Sequence, residues 1–244
     1  MKKILLFSLS VLFCFVLFSV ISNAAGPNVI VIVNDLYSNL PISGADVTVC
    51  TPNYEGRDPS QEFTIVGRGS TGGTGKALLT LPAGEDYRVH LFKSGYEFGY
   101  NVQPRIYAYL DPKTTYTYKM WRLNSPTDKM MEKTVEVKLY ATAYSSAAGY
   151  KANRGERVGG AMVQGRIYTI DGYKIGSEEQ RYGEKPLSYG FQKIADRSGM
   201  ASIKVPVNAE IDFAAYLGGY VSYKKLVTTR VGPSTYFVIL PMRK

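Results

Sequence analysis

The stretch GKALLTLP at residues 75–82 returns in the same chain as GMASIKVP at residues 199–206. Both copies open on glycine, place apolar side chains at every second position and close on proline, which is typical of a turn followed by a half-buried β-strand. The Gly-Tyr dipeptides at residues 95–96 and 219–220 keep the same separation of 124 residues. The sequence therefore indicates an internal duplication.

The duplication extends toward the N-terminus with a different spacing. GADV at residues 44–47 matches GAMV at residues 160–163, where the separation is 116 residues. The second copy therefore carries extra residues between these markers. We place them near residues 170–187, where glycine and charged residues favour a longer hairpin or a surface loop.

Strand patterns dominate both copies. Short β-branched or alternating runs stand at residues 29–33, 45–49, 77–81 and 87–92, separated by Gly, Pro, Asn and Asp. In residues 134–142, apolar residues alternate with polar or aromatic ones, so one face is suited to a core and the other to water. No long window shows helical periodicity.

These patterns predict an all-β chain with two tandem β-sandwich domains of the seven-stranded, Greek-key type. We place the first domain at residues 26–122 and the second at residues 134–244. Residues 123–133 lack alternation and contain Pro126, so they are the predicted linker. Because this linker is short, we expect the two domains to hold a restricted relative orientation.

The repeated motifs resemble the carboxypeptidase regulatory-like, or transthyretin-like, β-sandwich domain of exported and cell-surface proteins. The resemblance covers most of the chain after residue 25 and implies a sandwich fold for each copy. Its motifs are structural, so it implies little about function. The matching segments are residues 41–49, 71–77, 81–89 and 95–96 in the first copy and residues 158–161, 196–201 and 219–220 in the second.

One of these motifs is a turn with a different first residue in each copy. In the second copy, Asp196 can accept backbone hydrogen bonds across the turn that Gly199 closes. In the first copy, Gly72 stands in the place of that aspartate. We therefore expect the first turn to lack a side-chain cap.

The first 25 residues are typical of an export signal. Lys2 and Lys3 precede an apolar run that ends in small residues at Ala24 and Ala25, and cleavage is compatible with either alanine. The alternative is an uncleaved anchor, since the run is near the length that spans a bilayer. We expect a secreted, periplasmic or cell-surface protein without a stable membrane span after cleavage.

Charge and cysteine content narrow the classes of partner. The chain has 29 Lys and Arg against 20 Asp and Glu, and the cations are scattered singly. This distribution is typical of a solvated surface. It argues against a nucleic-acid partner. Cys50 is the one cysteine after the signal, so it either fills apolar space or pairs with another molecule.

His90 is the single histidine of the chain. A zinc peptidase site needs several His and Glu ligands, so that chemistry is excluded. His90 alternates with the apolar Val89 and Leu91, which predicts that it lies with Arg88 on a wet outer face. We predict no catalytic residue, no cofactor site and no metal site.

Tyrosine is the one compositional excess, with 20 tyrosines beside a single tryptophan. Exposed aromatic side chains can form a platform for glycans or proteins. The alternative is that tyrosine simply suits half-buried strands. The candidate binding surface, expected to lie mostly in the non-core register, consists of Tyr107, Tyr109, Tyr116, Tyr118 and Trp121.

Together these observations predict a non-enzymatic structural, adhesive or binding protein of the cell envelope. Its expected partner is an envelope or extracellular protein or polysaccharide. Open strand edges would also allow a homo-oligomer or fibre. The alternative is a carbohydrate-binding module protein that uses the exposed tyrosine and tryptophan surface.

Overall fold

The computed structural model describes residues 28–51, 63–82, 86–97, 105–107, 115–175 and 188–243. Within these residues the chain is almost entirely β, as predicted, and its sheets form sandwiches. The predicted signal peptide at residues 1–25 lies outside the described residues. No helix in the described part is long and apolar enough to cross a membrane.

The N-terminal sandwich has seven strands: β1 (Asn28–Asp35), β2 (Asp46–Thr51), β3 (Thr64–Ser70), β4 (Lys76–Thr80), β5 (Asp86–Phe92), β6 (Arg105–Tyr107) and β7 (Thr115–Met120). In the three-stranded sheet, β1 lies between antiparallel β4 and parallel β7. The four-stranded sheet has the order β3-β2-β5-β6 and is antiparallel.

The C-terminal sandwich repeats this plan with additional short elements. Its strands are β8 (Leu123–Asn124), β9 (Thr134–Tyr144), β10 (Glu156–Arg157), β11 (Met162–Ile170), β12 (Tyr173–Lys174), β13 (Ser188–Ile194), β14 (Met200–Pro206), β15 (Ala209–Tyr216), β16 (Val221–Ser222), β17 (Lys225–Thr228) and β18 (Thr235–Arg243). β9 lies between antiparallel β14 and parallel β18, as β1 lies between β4 and β7. The order β17-β15-β11-β13 corresponds to β6-β5-β2-β3.

Each sandwich has its own hydrophobic core. The N-terminal core contains inward side chains of β1, β2, β4, β5 and β7, such as Val31, Leu79 and Tyr87. The C-terminal core contains those of β9, β11, β14, β15 and β18, such as Leu139 and Phe213. Full burial of one such aliphatic or aromatic side chain stabilises the fold by about 1.5–3 kcal/mol. The alternating patterns therefore indicate which face of most strands points inward.

Backbone hydrogen bonds at the turns repeat from one copy to the other. Gly75 donates its N–H to the carbonyl of Gly72 at 2.9 Å, and Gly199 donates to that of Asp196 at 2.9 Å. Gly75 has φ 71° and Gly199 has φ 77°. A Cβ at either glycine would lie 2.7 Å from a backbone atom of a neighbouring segment. Both turns therefore require glycine.

The second copy contains two insertions, of which the sequence revealed one. Val33 and Ala141 are equivalent, because each donates its N–H to the carbonyl of the turn glycine in its own copy. They are separated by 108 residues, fewer than the 116 that separate the GADV and GAMV motifs. The additional residues form helix α1 (Ala147–Lys151), whose N-terminus is capped by Ser146 Oγ accepting the N–H of Gly149 at 3.0 Å.

The second insertion begins where the sequence places extra residues. β11 and β12 form a hairpin whose turn residues, Asp171 and Gly172, have φ values of 48° and 78°. Two successive positive φ values are typical of a tight hairpin turn. Residues 176–187, the remainder of this segment, lie outside the described residues.

The predicted difference between the two turns is confirmed. Asp196 Oδ1 accepts the N–H of Ser198 at 2.8 Å, its hydroxyl at 2.6 Å and the N–H of Met200 at 3.0 Å. The Ser198 hydroxyl, followed by the backbone N–H groups, lowers the pKa of Asp196. Gly72 occupies the equivalent position and has no side chain to do this.

Replacing Gly72 with aspartate should stabilise the N-terminal sandwich. A Cβ at Gly72 would have only one neighbour within 4 Å, the Lys76 carbonyl oxygen at 3.9 Å, so the new side chain fits. We expect a gain of about 0.5–1 kcal/mol from the stiffer unfolded chain, and the new cap should add to it. Thermal unfolding followed by circular dichroism measures the shift.

Gly73 provides the matched control for this substitution. A Cβ there meets no atom within 4 Å, so Gly73→Asp adds the same side chain one residue away from the capping position. The Gly72 variant should be the more stable of the two. Equal melting temperatures would show that the cap does not form.

Candidate functional site at the junction of the sandwiches

The outer face of the N-terminal four-stranded sheet is covered rather than wet. Cys50 is 0%, Arg88 5% and Phe92 7% exposed, although none of them belongs to the N-terminal core that contains Val89. The prediction that His90 and Arg88 share a wet face is therefore wrong for Arg88. Alternation separates the two faces of a strand but does not show whether a second sandwich covers the outer one.

Cys50 packs at this covered face. Its sulfur lies 3.4 Å from Nε2 of His90. It forms a small apolar cluster across the junction with Val221 and Tyr223, against which Phe63 and Ile65 pack. This burial supports the filler role of the thiol, since pairing with another molecule would require the junction to open. Among the described residues, no group of three or more His, Cys, Asp or Glu is placed to hold a metal ion.

Contacts across the junction recur with the two copies exchanged. Phe92 and Tyr216 occupy equivalent positions, because Asp46 pairs with Phe92 in the first copy as Met162 pairs with Tyr216 in the second. Their rings stack with centroids 3.6 Å apart and an interplanar angle of 11°. A two-fold relation between the copies places equivalent residues against each other in this way.

The Gly-Tyr corners provide a second exchanged contact. Arg68 Nη2 on β3 donates to the carbonyl of Gly219 at 2.6 Å. The equivalent residues in the opposite copies are Gln192 on β13 and Gly95, and Gly95 donates its N–H to Gln192 Oε1 at 3.0 Å. Each corner therefore docks on one strand of the other sandwich, β13 for Gly95 and β3 for Gly219. The repeated Gly-Tyr motif therefore contributes contacts to the junction as well as to the fold of each sandwich.

The third exchanged contact is an ion pair in one half of the junction and an apolar contact in the other half. Glu97 forms an ion pair with Arg166. Their equivalents, Val221 and Cys50, belong to the apolar cluster. The ladder supports this assignment, because Cys50 is paired with Arg88 as Arg166 is paired with Asp212.

Glu97 is the most buried acidic side chain of the junction, at 2% exposure. One carboxylate oxygen accepts a hydrogen bond from Arg166, and the other accepts one from the Ser188 hydroxyl at 2.9 Å. The Arg166 guanidinium lies 4.6 Å from the ring centre of Tyr168, whose hydroxyl donates to Asp212 at 3.1 Å. A buried carboxylate is tolerated only with such partners.

The tyrosine hydroxyls at the junction keep their protons. Burial, followed by the negative charge of Asp212, raises the pKa of Tyr168. Burial, followed by a hydrogen bond to Asp46, raises the pKa of Tyr216. Both side chains therefore act as neutral hydrogen-bond donors at ordinary pH.

Glu97 and Arg166 were not predicted from the sequence. A signal was present, because Glu97 directly follows the first Gly-Tyr corner, whereas Val221 follows the second. Arg166 likewise stands where the first copy has Cys50. A charge that replaces an apolar residue at equivalent positions of a repeat indicates a site where the copies have different surroundings.

The predicted linker is held against the C-terminal sandwich. Its first residues form β8, which pairs in parallel with β13. Asn124 Nδ2 also donates to the Ser188 carbonyl at 3.2 Å. Further along, Asp128–Met131 form a 3-10 helical turn. The part of the linker that contacts neither sandwich is therefore shorter than residues 123–133.

The candidate aromatic surface is not an exposed set in the described part of the chain. Tyr118 is 7% exposed and lies in the N-terminal core, and Tyr116 packs against that core. The expected exposure of Tyr118 is therefore wrong, because turning the tyrosines inward buries more apolar area than turning the threonines of β7 inward. Tyr109 lies outside the described residues, and only the backbone of Tyr107 is described.

Trp121 lies beside the junction and is half-buried. Its carbonyl accepts the N–H of Glu97 at 2.7 Å, so the backbone of this candidate helps to position the buried carboxylate. A glycan-binding role for the aromatic residues stays a prediction.

Asp35 makes a pH-dependent contribution to the free energy of unfolding. Its carboxylate accepts the N–H groups of Tyr37 at 3.0 Å and Ser38 at 2.9 Å, and pairs with Arg122 Nε at 3.0 Å. Burial alone would raise the pKa of Asp35, but the hydrogen bonds from Ser38, Tyr37 and Arg122 outweigh it and hold the pKa below its usual value. The unfolded state therefore binds this proton more readily than the folded state does.

The free energy of unfolding should consequently decrease as the pH falls below about 4, the ordinary pKa of an aspartate. Asp35→Asn should make this decrease shallower without abolishing it, because the pKa of Asp196 is also lowered. Urea unfolding at a series of pH values measures the slope. The matched control is Asp128→Asn at an exposed aspartate. An unchanged slope in the Asp35 variant would contradict the assignment.

Comparisons with known proteins give no family assignment. No family model matches the chain, and no curated protein matches it. Similar solved structures include the Bacillus anthracis TIE protein, at 17% identity over 90% of this chain and 34% of that one, with a TM-score of 0.28. A streptococcal ancillary pilin is 12% identical over 90% of this chain and 63% of its own, with a TM-score of 0.31.

The shaft pilin SpaA from Lactobacillus rhamnosus GG is 14% identical over 89% of this chain and 97% of its own, with a TM-score of 0.30. The chain thus spans less than two thirds of the first two proteins. TM-scores of this size carry no argument about function.

Proposed function

We propose that the chain is an exported, non-enzymatic structural protein of the cell envelope whose two sandwiches act as one rigid body. The observation that supports this is the junction, where the stacked Phe92 and Tyr216 and the buried Glu97 network join the two sandwiches. Modules that share only a flexible linker do not bury charged side chains between them. A fixed orientation is a property that a spacer or scaffold needs.

In this proposal the domain limits are those indicated by the sequence. Residues 1–25 are the signal peptide, residues 26–122 and 134–244 are transthyretin-like modules, and residues 123–133 connect them. Copies can further assemble into an oligomer or fibre through open sheet edges. Light scattering of the mature chain tests whether such an oligomer or fibre forms. A strictly monomeric sample would exclude this assembly.

The non-enzymatic part of the proposal is supported by the position of the one histidine. His90 is half-buried and contacts a fully buried thiol. Catalysis by a nucleophile and a base requires that a substrate reach both groups. At Cys50, which is fully buried, that access would require the sandwiches to separate.

Export is tested by producing the full chain with a C-terminal tag in its source cell. We expect the tagged protein in the envelope or medium, with an N-terminus at residue 25 or 26 by mass spectrometry. Replacing Lys2 and Lys3 with glutamate should retain it inside the cell, because the basic region of the signal is lost. An unprocessed chain in the cytosolic fraction would overturn the proposal.

A further inference from the structure

A groove on the C-terminal sandwich lies between β17 and β18. It has a volume of about 640 Å³ and is lined by parts of β17, β18 and α1. Three large apolar side chains on its walls are exposed: Phe237 by 68%, Leu226 by 55% and Ile239 by 40%. Exposed apolar clusters of this kind mark interaction surfaces.

The first copy shows that the fold does not require these apolar residues. The ladders of β7 with β1 and of β18 with β9 align Thr115 with Phe237 and Thr117 with Ile239. The same strand is therefore built with threonines in one sandwich and with large apolar residues in the other. A role outside folding accounts for the apolar pair.

A second difference between the copies shapes the same groove. Helix α1 is an insertion of the second copy, and it contributes Tyr150 and Lys151 to the groove wall. Tyr150 packs edge-on against Tyr144, with ring centroids 5.1 Å apart. Two features that the second copy has and the first lacks thus meet at one surface.

The edge of β18 beside the groove is open. β16 pairs with this edge only at Met242 and Arg243, and within the described residues no strand covers it at residues 235–240. A free edge presents a row of backbone donors and acceptors that can pair with an extended chain. The groove therefore offers backbone pairing next to apolar contact.

The charged side chains that line the groove are positive. They are Lys151 and Lys225. None of the described residues that line the groove is Asp or Glu. Such a surface favours a partner that carries carboxylates.

We propose that this groove binds an extended segment of another protein by strand addition to β18, and that this segment alternates apolar side chains with carboxylates. Side chains of an added strand point alternately to its two faces. Apolar residues can then cover Phe237 and Ile239, and carboxylates can reach the lysines. The chain has a formal net charge of +9, so charge favours an acidic partner over a second copy.

The test titrates the 15N-labelled mature chain with a synthetic peptide in which valine alternates with glutamate. Amide shifts should be confined to β17, β18 and α1. At low salt, the peptide should bind at least about tenfold more tightly than the same peptide with lysine in place of glutamate, because opposite charges attract and like charges repel. Equal affinities, or no shifts in β18, would overturn the proposal.

The chain itself supplies the matched variant. Phe237→Thr combined with Ile239→Thr copies the first sandwich, so the melting temperature should hold while peptide binding is lost. Leu78→Thr removes an equally exposed apolar residue, 68% exposed, from the N-terminal sandwich and should bind as the parent does. Binding that survives the double substitution would contradict the proposed site. Self-association that the double substitution abolishes would place a second copy there and overturn the proposed partner.

Discussion

Replacement of Glu97 by valine should destabilise the chain by about 3–5 kcal/mol, because it leaves the Arg166 guanidinium buried without its carboxylate. The Ser188 hydroxyl loses its acceptor at the same time. Urea unfolding, followed by circular dichroism and by the fluorescence of Trp121, measures this loss.

The second half of the junction suggests how to rescue that variant. Val221 and Cys50 form the equivalent contact without charge. Adding Arg166→Met to Glu97→Val should therefore recover most of the lost free energy, since two apolar residues of suitable volume can replace a buried ion pair. A double variant as unstable as the single one would show that the ion pair is not the source of the loss.

Phe213→Ala should cost about 3–5 kcal/mol, because Phe213 is fully buried in the C-terminal core. Gly165 leaves the space for its ring, since a Cβ there would lie 2.3 Å from Cε1 of Phe213. A smaller side chain at Phe213 therefore leaves a cavity in the core.

The same variant tests whether the sandwiches unfold together. Trp121 follows the last strand of the N-terminal sandwich, so its fluorescence should shift with the circular dichroism signal if the junction couples the two halves. The matched control is Phe237→Ala, at a phenylalanine that is 68% exposed, and it should change stability by less than about 1 kcal/mol. A Trp121 transition that does not move in the Phe213 variant would contradict coupled unfolding.

The repeat and the inward faces of most strands were predictable because they follow from spacing and alternation within one chain. The turn glycines at 75 and 199 and the Asp196 cap were predicted on the same basis and are present. Helix α1 was not predicted, because five residues are too few to show a helical period.

The junction could not be read from alternation alone. A period of two distinguishes the face with Val89 from the face with Arg88, but burial of the second face depends on where the other sandwich docks. The register of β7 was misassigned for a related reason. Threonine alternates with tyrosine there, and only the gain in buried apolar area decides that Tyr118 turns inward.

A distance measurement across the junction tests most directly whether the two sandwiches form one rigid body. Spin labels on cysteines at Thr117 of β7 and Lys204 of β14, both exposed, report the separation by pulsed electron resonance. Cys50 is buried, and the unsubstituted chain shows whether it takes up label. A pair within the C-terminal sandwich, at Lys204 and Thr228, gives the width expected of a rigid unit. We predict a single distance across the junction with a distribution as narrow as that reference. A broad or multiple distribution would show that the sandwiches move relative to each other.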